Sequence, residues 1–285
     1  SSPPNLGRDL LYYDGGRAMK IFRAEWRKLR RPTLFIGSMG VVVAVTALIV
    51  SLLFLLIDSE MGNADRGVRI TREVLALPTG ISLAFSNSSG LLGLVALCVF
   101  AAQTAQEYTY GTLRSLLVRE PRRIRLLLGK YMAMGLFAFI SVVISAITSV
   151  ALAYALSGTA KVSTAAWNTE AAWTNLFETF VNVLISTFGY GTIGMILGLV
   201  LRSPISSISI GVGWLLVVES ILSIAWSPSG NWMPGILLSV VASGGSPTGV
   251  TDIPSYSDAL LRVSSMITAG ALLTGLLFKR RDVAS

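Results

Sequence analysis

The chain alternates long, nearly uninterrupted apolar runs with short polar stretches, and the runs are too long for single faces of soluble helices. A helix crossing about 30 Å of hydrocarbon needs about 20 mostly apolar residues. Six stretches reach that length: 33–57, 80–102, 131–156, 176–201, 205–226 and 259–278. The first carries no charge, and the third is expected to begin a turn or two before residue 131. The pattern predicts an all-α integral membrane protein with six transmembrane helices. A further apolar piece, Pro234 to Ala242, is too short to span, so a re-entrant or interfacial helix is expected in the loop 227–256.

Charge then orients the spans. Lysine and arginine concentrate in cytoplasmic loops. Eight lie before Thr33, six between the second and third spans, one (Arg202) between the fourth and fifth, and three after the sixth. The opposite loops hold only Arg66, Arg69, Arg72 and Lys161. Both termini are therefore expected in the cytoplasm, in a multi-pass protein of the cell membrane. Residues 1–18 read unlike the rest of the chain and are expected to be an expression remnant or an upstream start, leaving 19–285 as one transmembrane domain.

Composition narrows the chemistry. The chain is 53% hydrophobic and 13% charged, against about 25% charged in soluble domains. It has no histidine and one cysteine, Cys98, which excludes Ser-His-Asp catalysis, histidine-ligated zinc and an internal disulfide framework. No G-x-x-x-x-G-K-[ST] occurs, so no ATP site of the P-loop kind is expected. Catalytic residues, metal ligands and a cofactor of the chain's own are all expected to be lacking. The net charge of +8 sits beside apolar runs, which points to lipid headgroups and not to nucleic acid.

Two segments carry an amphipathic pattern. In Lys20 to Arg31, Ile21, Phe22, Trp26 and Leu29 share one helical face, while Lys20, Arg23, Arg27, Lys28, Arg30 and Arg31 surround the other. That predicts an interfacial helix at the inner leaflet, anchored by Phe22, Arg23, Trp26, Arg27, Arg30 and Arg31 on anionic lipid. The same residues would serve a mechanical elbow. In the second segment Gly111 is placed to end a helix leaving the membrane, and Thr112 to cap a short new one. Leu113, Leu116 and Leu117 fall on one side of it, and Pro121 opens the next helix. Arg122, Arg123, Arg125 and Lys130 are expected at the headgroups. Such a projecting helix suits a groove in another protein, or is an ordinary interfacial hairpin.

The order E-x-x-x-G-T-L-R-x-L-L (Glu107 to Leu117), P-x-R from Pro121 and G-K at Gly129, before an apolar span, resembles the ABC-2 type permeases of bacterial ATP-binding-cassette exporters. R-A-E-W-R-K-L-R-R-P (Arg23 to Pro32) is similar to their amphipathic first helix, and G-x-x-L-R-S-P (Gly198 to Pro204) is similar too. The resemblance covers Lys20 to Glu219 and the remainder weakly. It implies that 111–120 is a coupling helix seated on a separate cytosolic ATPase, with Glu107 and Arg114 as charged contacts there. It further implies ATP and Mg on that partner, a second permease copy or sister permease, and export of a small amphipathic compound, drug or peptide. An ATPase-independent channel or secondary transporter, or a non-transporting scaffold or sensor subunit, are the rival readings.

Several polar residues lie inside the spans. A carboxylate in hydrocarbon is costly, so it faces a cavity or pairs. Glu178 and Asn182 in the fourth span, Glu219 in the fifth and Arg262 in the sixth are candidates for the wall of a translocation path. Salt bridges from Arg262 to either glutamate are the structural alternative. Gly194-x-x-x-Gly198 reads as close helix packing, and Trp26, Trp226 and Trp232 as residues of the interface belt.

Overall fold

The computed structural model describes residues 22–57, 70–109, 123–245 and 253–280; residues 1–18 and the segment 111–121 lie outside the described residues. Those described form helices and connecting turns without a strand. Six helices are long and apolar enough to cross a membrane, the architecture of a multi-pass membrane protein. Residues 22–29 form a helix of their own ahead of the first span.

Span one, Pro32–Leu55, starts on Pro32, whose fixed φ and missing N–H suit a first helical position. Span two is broken into Gly80–Asn87 and Ser89–Thr109. Three consecutive polar side chains make the break. Ser86 and Asn87 both donate to the Leu83 carbonyl, at 3.1 and 2.8 Å, and Ser88 donates to that of Phe85 at 2.7 Å. Their competition for helix carbonyls bends the chain there. Span three, Arg123–Ser157, has 35 residues and so a length of about 52 Å, more than the hydrocarbon needs. It begins well before residue 131, as its basic approach suggested.

Span four, Glu170–Leu201, starts six residues earlier than its apolar run because the Thr169 hydroxyl caps it, accepting from the Ala172 N–H at 3.4 Å. It ends on Arg202, held in the left-handed region at φ 55°. Ser203 then caps span five by accepting from the Ser206 N–H, and Pro204 occupies its first turn. Span five runs Pro204–Gly213, passes through a wide π turn at Trp214–Val218, and finishes as Glu219–Ala225. A 3-10 turn at Ser227–Asn231 leads to the short helix Pro234–Ala242, and span six is Tyr256–Arg280.

Span four is the axis of the bundle. A methyl group at Gly194 would strike the backbone of Leu97, and one at Gly198 would lie 2.8 Å from the Ala101 carbonyl oxygen. The Gly194/Gly198 spacing thus serves packing between spans four and two of the same chain. Gly194→Ala is therefore expected to destabilise the bundle by about 1–3 kcal/mol, since backbone cannot step aside. Chemical unfolding of the purified chain in detergent checks this, and an unchanged midpoint would refute the packing assignment.

Spans one and three are joined by hydroxyls in their shared seam, where Thr46 and Ser145 lie 2.8 Å apart and Ser88 reaches Ser145 at 3.5 Å, all fully buried. In contrast, spans five and six keep most of their apolar side chains on the outside; Ile224 is 89% exposed. That surface is left for lipid or a neighbouring membrane chain.

Candidate functional site

Helix 22–29, the end of span two and the start of span three meet at one end of the bundle, here termed the basic end. There Glu25, Lys28, Glu107 and Lys130 form a network of two acids and two bases. The Lys130 ammonium lies 2.7 Å from Glu107 Oε1 and 3.5 Å from Glu25 Oε2. The Lys28 ammonium lies 2.9 Å from the same Glu107 oxygen and 2.7 Å from Glu25 Oε1. Glu25, Glu107 and Lys130 are buried, and only Lys28 is partly open to solvent.

The local sequence explains the arrangement. Glu25, Trp26 and Leu29 share one side of helix 22–29, and Leu29 and Trp26 pack with Phe35, Met39, Ala133 and Phe137. Trp26 and Phe35 meet edge to face, as do Phe35 and Phe137. Packing of that side carries Glu25 inward, while Arg23, Arg27, Arg30 and Arg31 stay exposed. Burial works against the charge on Lys28, but Glu107 and Glu25 more than offset it and raise its pKa above the ordinary lysine value of 10.5. The sign is that of a group stabilised when protonated. Its contribution is complete at neutral pH and is lost only as pH climbs through that raised value.

Three expectations meet the structure here. Lys130, read as a headgroup contact, is 3% exposed and paired inside the protein. Glu107, which the resemblance implied as a contact to an ATPase, accepts from Lys28 and Lys130 within the quartet. The apolar side of helix 22–29, with Phe22 and Trp26, rests on the chain's own spans instead of lying open to lipid. The remaining coupling candidates, Gly111, Thr112, Leu113, Arg114, Leu116, Leu117 and Pro121, lie outside the described residues.

The intramembrane polar residues do not gather into one site. Glu219 is buried and its carboxylate caps the short helix Pro234–Ala242. Oε1 accepts from the Gly235 N–H at 3.1 Å and from the Trp214 indole N–H at 3.1 Å, and Oε2 accepts from the Ile236 N–H at 3.0 Å. The Tyr190 hydroxyl donates to the Gly235 carbonyl at 3.1 Å from span four. A methyl group at Gly235 would sit 2.6 Å from Glu219 Oε2, so only glycine admits the carboxylate. The expected salt bridge between Glu219 and Arg262 is not formed. Arg262 instead donates from Nη1 to the Asn231 side-chain and backbone oxygens, at 2.8 and 3.1 Å, and stacks over Trp232. Asn182 accepts from the Tyr256 hydroxyl at 2.8 Å, tying span four to span six. Glu178 is exposed on span four, beside Phe177 and near Trp173, both of which are exposed as well.

Sequence reasoning missed Trp167. Its ring is fully buried at the end opposite the basic end, edge-on to Phe54 and Tyr154, and its indole N–H donates to the Leu75 carbonyl at 2.8 Å. With Leu75, Ile81 and Val162 it closes that end of spans one to four. Its place in a polar loop hid it; the one available signal was a tryptophan isolated among small residues. Among the described residues, no three His, Cys, Asp or Glu side chains gather to hold a metal ion.

A family model described as a protein of unknown function, DUF2705, matches residues 72–284. A comparison with curated proteins found no match.

Proposed function

We propose that this chain, which belongs to the DUF2705 family, is the membrane-spanning permease subunit of an ATP-binding-cassette exporter. Its resemblance to ABC-2 permeases is carried by residues on both sides of segment 111–121, and the quartet gives that resemblance a mechanical sense. Glu107 precedes the segment, Lys130 comes after it, and Glu25 and Lys28 belong to helix 22–29. A displacement of the segment is therefore passed to the helix before it, the helix after it and the N-terminal helix together. This junction is the observation that carries the proposal.

In this reading both termini are cytoplasmic, and residues 111–120 sit on a cytosolic ATPase that binds ATP and Mg. ATP-driven closure of the ATPase pair favours one arrangement of the junction over another. That difference in contact energy is what a switch requires. Two permeases pair, identical or sister chains, and the cargo is a small amphipathic compound, drug or peptide. The Trp167 plug favours a path along the outer faces of the bundle, between two permeases, over a pore through spans one to four. Glu178 on the exposed face of span four fits the wall of such a path; Glu219, spent on its helix cap, fits it less well.

Replacing Leu113, Leu116 and Leu117 each by serine is expected to abolish co-purification of an ATPase bearing a Walker A motif from mild-detergent membranes, the variant itself remaining folded. Retention of the ATPase at the wild-type level overturns the coupling assignment. Its absence from wild-type preparations overturns the exporter.

A further inference from the structure

We propose that Arg262 holds the phosphate of a phospholipid in the leaflet at the Trp167 end of the bundle. Arg262 lies about 9 Å into span six from its start at Tyr256, at about 1.5 Å per residue. A cation at that depth is costly unless something compensates it. No carboxylate of the described residues lies within ion-pair distance of it. Glu219 is committed to the short helix, and Asp258, one turn earlier on span six, accepts from Ser255 Oγ at 2.8 Å.

The guanidinium is nevertheless held in place. Nη1 spends its hydrogens on Asn231, and the Trp232 ring centroid lies 5.7 Å from the central carbon. Tying the turn 227–231 to span six would need only a neutral donor, so the tie alone leaves the positive charge unexplained. Nε and Nη2 remain for an acceptor, and a guanidinium edge suits two oxygens of one phosphate. Around it the surface has the other half of a phospholipid's chemistry. Trp232 is 58% exposed, Trp226 45% and Leu261 69%, an aromatic and aliphatic border for acyl chains. A fixed cation with no ion-pair partner among the described residues, beside exposed aromatics, matches a phosphodiester attached to lipid. Such a site is independent of the exporter role, since it asks only that the chain sit in a bilayer.

The test is native mass spectrometry of the purified, delipidated chain titrated with phosphatidylglycerol, with a phosphate-free galactosyl diacylglycerol as comparator. Arg262→Ala is expected to lower the affinity for the first phosphatidylglycerol about tenfold, the worth of one charge-assisted hydrogen bond, and to leave the galactolipid unchanged. Arg262→Lys, which keeps charge but loses the fork, is expected to fall between them, and it replaces the alanine variant if circular dichroism shows that variant misfolded. Equal phosphatidylglycerol binding by wild type and variant overturns the proposal. So does displacement of the lipid by millimolar inorganic phosphate, which would mark a free-ion site. A loss of dimer with lipid binding intact would assign the arginine to a second copy instead.

Discussion

Lys130→Ala is expected to destabilise the chain by about 3–5 kcal/mol, the range found when one member of a buried ion pair is removed. The reason lies in the charge balance of the quartet. Without Lys130, Glu25 and Glu107 each lose a buried ion-pair partner, and Lys28, the base of the quartet that remains, is the most exposed of the four. The buried negative charge at the joint between three helices is then less well compensated. Removing a second, opposite charge should undo most of the damage. Glu107→Gln combined with Lys130→Met leaves Glu25 and Lys28 as one pair, 2.7 Å apart. The double variant is expected to recover most of the loss, because residues within one network are strongly non-additive. Unfolding of wild type, both single variants and the double variant in detergent gives the cycle. Additive losses would mean that the four side chains do not act as a unit, and the mechanical role given to the junction would go with them. Lys28 itself stays charged at neutral and mildly alkaline pH, since its pKa is raised and not lowered.

The second large effect is expected at the short helix. Glu219→Ala deprives the Gly235 and Ile236 amides and the Trp214 indole of their acceptor. A buried donor left unmade costs about 1–3 kcal/mol, so the summed loss should be about 3 kcal/mol or more. Glu219→Gln keeps one carbonyl oxygen but turns an NH2 group toward the remaining donor, and should fall between. Gly235→Ala reaches the same end by steric means, since its methyl would press on both the carboxylate and Leu215 at 2.6 Å. The decisive readout is hydrogen exchange at the amides of 235 and 236. Faster exchange is expected in all three variants, with exchange across span four unchanged. Wild-type exchange at those amides in Glu219→Ala would show that another group caps the helix.

The six spans and the short helical piece at 234–242 were legible because hydrocarbon thickness is a blunt, length-based constraint. Their ends were less so, since caps decide them: Thr169 extends span four to Glu170, and Pro204 fixes the start of span five. The break at Ser88 was written in a run of serines and an asparagine, yet hydropathy averages such a run away. For the candidate site, the family resemblance drew attention to Glu107, but nothing in its motif pointed to Lys28 and Lys130 as partners. Glu25 and Lys130 look like ordinary headgroup residues in sequence, and only packing of Leu29 and Trp26 against span three turns them inward. Glu219 was singled out as an acid that either faces a cavity or pairs, and its hydrogen-bond partners include two backbone amides. Those amides lie sixteen and seventeen positions on, and no side-chain pattern advertises them. Pro234 at the first turn of the short helix was the nearest hint, since it marks where unpaired N–H groups begin.

The π turn at Trp214–Val218 sets the phase of all later residues in span five. It closes with the Glu219 N–H bonded back to the Trp214 carbonyl, so one residue more than an α-helical turn is housed there. An α-helix advances about 100° per residue. Forced into a regular α-helix at the same length, the turn would swing Glu219 by about that angle, away from Gly235 and Ile236; deleting Val217 instead lets the Glu219 N–H meet the Trp214 carbonyl as an ordinary α-helical bond and keeps the cap engaged. The span therefore carries its cap like a tooth on a gear, kept in mesh by a wide turn that takes up one extra residue.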